Sequence, residues 1–216
     1  MKSTQIFIFF LVIISFSSFA QVYVLEGVLT TSETMELIGG HIISFGSAQR
    51  DVLQIEQIGN NNQLTAIQQL TQSGSYVFQT LQKGDNNMGY TYQSGVGHEL
   101  ILNQNGNNNE ANLQSIGSNT KNFVQQEGSY NFVNSFIENT SLESRTATSV
   151  QIGDKNSINL QLPDNNTNKS LMVLQTGTGN SADLLLNQFD APSLKVEQTG
   201  GATVLITQSD FNFPTK

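Results

Sequence analysis

No cysteine and no tryptophan occur among the 216 residues, histidine appears twice, proline three times, and charged side chains make up only 12%. Each scarcity removes a class of explanation. Without cysteine there is no disulfide staple, so an ordered exported fold must rest on backbone hydrogen bonds and packing. The two histidines, His41 and His98, are too few and too far apart in sequence to suggest a metal cluster. Nine Lys and Arg against 17 Asp and Glu give a net charge of −8, the wrong sign for a nucleic-acid partner. Long apolar runs are also missing beyond the first twenty residues, so no later segment could cross a membrane as a helix.

Those first twenty residues have the pattern of a secretory signal. Lys2 supplies a positive end, residues 6–16 an apolar run, and Ser18-Phe19-Ala20 a small-x-small cleavage site before Gln21. The apolar stretch is short of the ~20 residues a spanning helix needs. The expectation is a signal peptide over residues 1–20 and a secreted, extracellular mature chain.

What remains is rich in Asn, Gln, Ser, Thr and Gly, a composition that alone would fit disorder or β-aggregation. A repeat decides against disorder. At nearly regular spacing the pattern Gln-x-Gly, usually with Asn three residues after the Gly, recurs seven times. The first three instances are Gln57, Gly59 and Asn62; Gln82, Gly84 and Asn87; and Gln104, Gly106 and Asn109. Next come Gln126, Gly128 and Asn131; Gln151, Gly153 and Asn156; and Gln175, Gly177 and Asn180. The last is Gln198 and Gly200, with Thr203 in the Asn column. Successive Gln residues are 25, 22, 22, 25, 24 and 23 apart. A period of that size marks one supersecondary unit that is stable only when stacked on its copies.

Alignment on the Gln reveals period-2 patterning on both sides of the Gly, the mark of strands with one buried face. Two and four residues before the Gln stand pairs such as Ile55 and Leu53, Leu102 and Leu100, and Val173 and Leu171. Seven and nine residues after it come Leu64 and Ala66, Ala111 and Leu113, Ile158 and Leu160, and, in the last unit, Leu205 and Thr207. At eleven residues after, Gln68 and Gln93 begin a second, weaker column, and Gln93-x-Gly95 echoes the main motif. Each unit therefore reads as strand, turn, strand: the first strand ends at the Gln, the second begins at the Asn, and the Gly sits at a turn that needs positive φ. From four before to eleven after, all seven units align without a gap, and the extra residues collect in return loops at 138–146, 163–169 and 187–192. The predicted fold is all-β: a β-solenoid of about seven rungs of 22–25 residues over 51–209, flanked by a 210–216 tail. Residues 21–50 lack the motif, and a targeting segment, a degenerate rung and a cap all remain open for them.

An isolated buried amide costs roughly 1–3 kcal/mol. Identical amides repeating every ~4.8 Å along parallel strands remove that cost, because each donates to one neighbour and accepts from the other. The Gln, Gly and Asn columns are accordingly the expected structural stacking residues. Chemistry-bearing patterns are lacking: the Glu33/Glu36 and Glu138/Glu143 pairs have the spacing of solvated faces, and Gly95-x-Gly97 and Gly177-x-Gly179 lack a phosphate-loop context. No catalytic residue, metal ligand or cofactor is expected.

Gln82-Lys-Gly84-Asp-Asn-Asn87-Met-Gly89-Tyr-Thr-Tyr-Gln93 resembles the curlin repeat, the unit of bacterial curli fibre subunits. Gln104, Gly106, Asn109 and Ala111 match its pattern as well, and so do Gln175, Gly177, Asn180 and Ala182. The resemblance covers about residues 50–209. It implies an exported subunit, major or nucleator-like, that passes an outer-membrane secretion channel and self-associates, with other curlin-like subunits as possible partners. The product would be extracellular cross-β amyloid fibres for biofilm matrix and adhesion. The chain departs from the family where the Gln eleven residues on is lost, in five of seven units. The competing expectation is a monomeric secreted solenoid that binds a surface through outward residues such as Tyr90, Tyr92, Phe132 and Phe136.

Overall fold

The computed structural model describes residues 21–30, 34–38, 41–44, 47–70, 76–163, 170–186 and 193–208. The expected signal segment, most of the 163–169 and 187–192 loops and the 210–216 tail lie outside the described residues. Among those described there is no helix. The strands are β1 (Gln21–Thr30), β2 (Thr34–Ile38), β3 (His41–Ser44), β4 (Ser47–Ile58), β5 (Gln63–Leu70), β6 (Tyr76–Lys83), β7 (Met88–Val96), β8 (Glu99–Asn105) and β9 (Glu110–Ser118). They continue with β10 (Thr120–Glu127), β11 (Phe132–Asn139), β12 (Arg145–Ile152), β13 (Ser157–Leu162), β14 (Ser170–Thr176), β15 (Ser181–Leu186), β16 (Leu194–Thr199) and β17 (Thr203–Gln208).

From β4 onward the chain alternates between two sheets, and each strand pairs in parallel with the strand two further on. One sheet runs β1-β4-β6-β8-β10-β12-β14-β16 and the other β17-β15-β13-β11-β9-β7-β5-β2-β3. The result is a β-solenoid of seven strand-turn-strand rungs, β4/β5 through β16/β17. At ~4.8 Å per rung the stack is roughly 30 Å long.

The period-2 pattern explains why these residues form strands: burial alternates along nearly every one, as in β8 and β10. The inward residues of the two sheets meet in one core. Ile55, Leu100, Leu102, Val124, Ala147 and Val173 line one side, and Leu64, Leu113, Val133, Ile158, Leu160 and Leu184 the other. Each large apolar side chain so buried contributes about 1.5–3 kcal/mol. The middle of the core carries polar insertions: Asn122 faces Ser135, whose hydroxyl donates to the Asn122 Oδ1 at 3.0 Å, and Ser149 is buried between Val124 and Val173 in its column.

Three sequence expectations need correction. The second strand of a rung does not begin at the column Asn. Asn62, Asn87, Asn109, Asn131, Asn156 and Asn180 each stand one residue before β5, β7, β9, β11, β13 and β15, and from Asn87 on their backbone N–H donates to the preceding rung's Asn rather than to a strand. The seventh unit does not align without a gap. Its turn, Gly200-Gly201, is one residue shorter, so Ala202 takes the Asn position and Thr203 moves onto the exposed side opposite Ser181. Val204 and Ile206 therefore face the core beside Ala182 and Leu184, while Leu205 is 71% exposed. The loop expected over 138–146 is also narrower, because β11 and β12 extend into it and leave only 140–144.

Ahead of β4, strands β1 and β2 run opposite in sense to the strands they cover. β1 lies antiparallel on β4, with Gln21, Tyr23 and Leu25 opposite Gln57, Ile55 and Leu53. On the other sheet β2 pairs antiparallel with β5 over only three residues, 34–36 against 67–69, and β3 continues that edge.

Candidate functional site

Parallel register places all seven motif glutamines in one column, Gln57, Gln82, Gln104, Gln126, Gln151, Gln175 and Gln198. Each sits at the inward end of its first strand and is buried. Each Nε2 donates to the Oε1 of the next rung's Gln, at 2.5, 2.7, 2.9, 3.0, 2.9 and 2.8 Å from the first step to the sixth. The second Nε2 hydrogen also has a partner: Gln104 donates to the Met88 carbonyl and Gln126 to the Glu110 carbonyl, both at 3.0 Å. The line of amides thus has a direction, with donors pointing toward the C-terminal rung.

A second line runs along the turn. From Asn62 to Asn156 the Oδ1 of each column Asn accepts both the backbone N–H and the Nδ2 of the next rung's Asn, as Asn109 does from Asn131 at 3.1 Å each. Asn131 in turn accepts both from Asn156, again at 3.1 Å each. The Nδ2 reaches forward to the next rung's Gly carbonyl, 2.8 Å from Asn109 to Gly128 and 2.8 Å from Asn156 to Gly177. Asn supplies the donor and acceptor that this double role demands; Asp would lack the donor. From Asn62 through Asn87, Asn109, Asn131 and Asn156 to Asn180 the line is continuous.

The Gly between these lines is required twice over. At Gly59, Gly84, Gly106, Gly128, Gly153 and Gly177 φ lies between +102° and +129°. A Cβ built on Gly128 would also stand 2.1 Å from the Gly153 carbonyl oxygen. Rungs can approach to hydrogen-bonding distance at this corner only because no side chain intervenes.

The opposite corner is less regular. Gln93 is buried, but the next residue in its column is Ser115, too short to continue the line, and the Gln93 Nε2 has no hydrogen-bond partner among the described residues. Six residues before the column Gln lies a buried set that the motif does not announce: Tyr76, His98, Thr120 and Arg145. The Tyr76 hydroxyl donates to the Gly95 carbonyl, its ring lies 6.0 Å from the His98 ring, and His98 Nδ1 is 2.6 Å from Thr120 Oγ1. Arg145 points into the return corner, where its guanidinium donates to the carbonyls of Glu138, Leu162 and Pro163. Burial pushes the His98 imidazole down to about 4, offset in part by the Ser94 backbone. The only signal for this set was its fixed offset from each Gln, visible once the column is extended two residues beyond its apolar positions.

The two ends of the stack differ. At the N-terminal rung Ile55 and Leu64 are 0% and 1% exposed. At the C-terminal rung Leu194, Val204 and Ile206 are only half-buried, and β16 and β17 have no outer partner strand among the described residues. Lacking a further Gln, Gln198 donates instead to the Ala202 carbonyl of its own rung at 2.9 Å.

Outside the stack no catalytic arrangement stands out among the described residues. Glu138 and Glu143 belong to a strand end and an exposed loop, and Glu33 lies outside the described residues. Among the described residues no cluster of His, Asp and Glu is placed to hold a metal ion, and no helix is long and apolar enough to cross a membrane. Searches against family models, curated proteins and solved structures find no match to this chain.

Proposed function

We propose that this chain is a secreted structural subunit of the curlin-repeat type that polymerises, rung on rung, into extracellular cross-β fibres for biofilm matrix and adhesion. Its partners are further copies of itself, other curlin-like subunits and an outer-membrane secretion channel, and it performs no catalysis. The observation that carries this reading is the unfinished C-terminal rung. The glutamine line and the apolar columns repeat through the stack up to the β16/β17 rung, beyond which no strand lies among the described residues, while the asparagine line ends at Asn180 because Ala202 takes its place. Such an edge invites addition of the next copy in a heterologous contact, which extends into a filament because it does not close.

Purified mature protein should convert, after a lag, from monomer to sedimentable fibres with a ~4.8 Å meridional reflection. A second reading, a monomeric surface-binding solenoid, draws support from the antiparallel strands over the first rung and from the exposed Met88 and Tyr90 on the outer face. Protein that stays monomeric for days at tens of micromolar with unchanged β content would favour that second reading.

A further inference from the structure

Resting on the polymer reading, we infer that β1–β3 are a displaceable plug on the N-terminal rung. A second copy of this chain docks on the β16/β17 edge only through a first rung from which its own plug has moved. The fibre then grows at one end, and the plug sets the rate.

Three observations meet in this assignment. All six steps between rungs are parallel, yet the strands outside the first rung are antiparallel on both sheets, β1 on β4 and β2 on β5. An antiparallel strand does not reproduce the backbone ladder of a parallel rung, since the donor and acceptor order along it differs, even though its register sets Gln21 opposite Gln57. The plug therefore occupies the place of a preceding rung without reproducing it.

Burial gives a partial asymmetry: Ile55 and Leu64 are fully covered, whereas at the other end Val196 is buried but Leu194, Val204 and Ile206 are only partly so. The amide direction adds the third element. In each step the acceptor belongs to the later rung, so an incoming copy must offer its Gln57 Oε1 to the Gln198 Nε2. That donor is held in reserve on the Ala202 carbonyl. The occupant that fits is thus a β4/β5 rung of a second copy, aligned in parallel with β16/β17.

The plug is also unevenly fastened. β1 pairs with β4 along residues 51–57 and, past a register shift, at 47–48, whereas β2 covers β5 at 67–69 only. The backbone edge of β5 over 63–66 is free of described strand partners on that side. An incoming β17 would meet this stretch first and gain strand pairing there before β2 and then β1 are released. Exchange of this kind proceeds stepwise, and the open form need be populated only to the order of a few per cent.

The absence of native cysteine makes a direct test available. Val24 and Gln54 are opposite one another in β1 and β4, a placement a disulfide can bridge. The double variant Val24→Cys/Gln54→Cys of the full chain is compared oxidised and reduced, with fibre growth followed by sedimentation on wild-type seeds. Elongation should be on the order of tenfold or more slower for the oxidised form and be restored by dithiothreitol. Added in small amount as a seed, the oxidised form should still shorten the lag of wild-type protein, because its C-terminal edge is open. Val204→Lys/Ile206→Lys should abolish that seeding. Equal elongation by oxidised and reduced forms overturns the plug while leaving the polymer reading intact. Failure of the reduced variant and of wild-type protein to form any fibre overturns the polymer reading itself, and the plug with it.

Discussion

Replacing Gln126 by Leu removes one amide from the middle of the ladder while nearly keeping the side-chain volume. The Gln104 Nε2 then loses its forward acceptor, and the Gln151 Oε1 loses its donor. Both neighbours are buried, so neither recovers water. At roughly 1–3 kcal/mol for each stranded group, the substitution should destabilise the fold by about 2–5 kcal/mol after the gain in apolar burial. The ladder also makes a sharper claim about pairs. Within the ladder Gln126→Leu with Gln151→Leu again strands one donor, on Gln104, and one acceptor, on Gln175, and adds only the lost Gln151 bond to the Phe132 carbonyl, so the adjacent pair should cost clearly less than twice the single change. Gln104→Leu with Gln151→Leu isolates Gln126 between them and strands two donors and two acceptors, for about twice the single cost. Urea unfolding followed by far-ultraviolet circular dichroism, at concentrations where the protein is monomeric, measures all four chains. The outward Gln125→Leu serves as a control expected within about 0.5 kcal/mol of wild type. Equal costs for the adjacent and separated pairs, or a single cost near that of the control, would refute the ladder.

Two further perturbations follow from the same geometry. Gly128→Ala combines a left-handed backbone with a Cβ 2.1 Å from the next rung's carbonyl and should unfold or splay the stack locally, whereas at Gly200 no atom lies within 4 Å of the added methyl. Gly200→Ala should then cost only its backbone strain, about 1–2 kcal/mol, and comparison of the two melting curves checks the difference. For His98, the imidazole stays neutral in the folded chain down to about pH 4 but binds a proton near 6.5 once unfolded. The unfolded state therefore binds more protons between these values, and stability falls as pH drops through that window and levels off below it. The gap corresponds to ~3 kcal/mol. Subtracting the pH profile of His98→Gln from that of wild type isolates this contribution from titrating carboxylates, and a flat difference between pH 6.5 and 4 would contradict it.

Much of the rung was legible in the sequence because period-2 burial and a fixed period are local consequences of strand geometry and stacking. Gln126, Gly128 and Asn131 could be placed without coordinates for that reason, as could Gln151, Gly153 and Asn156 one rung on. The residue at which pairing resumes was not legible: Asn156 continues the column yet belongs to the turn, and only its bonds to Asn131 and Gly177 show this. The seventh turn was misread because Gly200-Gly201-Ala202-Thr203 fits the spacing nearly as well with Thr203 in the Asn column, and the one-residue shortening is a turn property that periodicity does not register. Thr203, Leu205 and Thr207 consequently exchanged faces with Ala202, Val204 and Ile206. Arg145 and His98 were hidden for another reason: residue type argues for exposure or titration, and only the return corner's carbonyls and packing make burial tolerable. The antiparallel sense of β1 and β2 is a tertiary fact, since the unbroken apolar run of residues 22–25 fits pairing in either direction.

Continuation of the stack from one copy to the next is the central claim, and intermolecular cross-linking tests it most directly. Ile58 and Thr199 occupy the same outward column at the first and last rungs. Single variants Ile58→Cys and Thr199→Cys are mixed in equal amounts, assembled under reducing conditions and then oxidised. Head-to-tail stacking brings the two positions to ~4.8 Å, within reach of a disulfide. Fibres should yield predominantly the mixed 58–199 dimer, and monomeric protein should yield none. Homodimers alone, or fibres without cross-links, would contradict rung-on-rung growth.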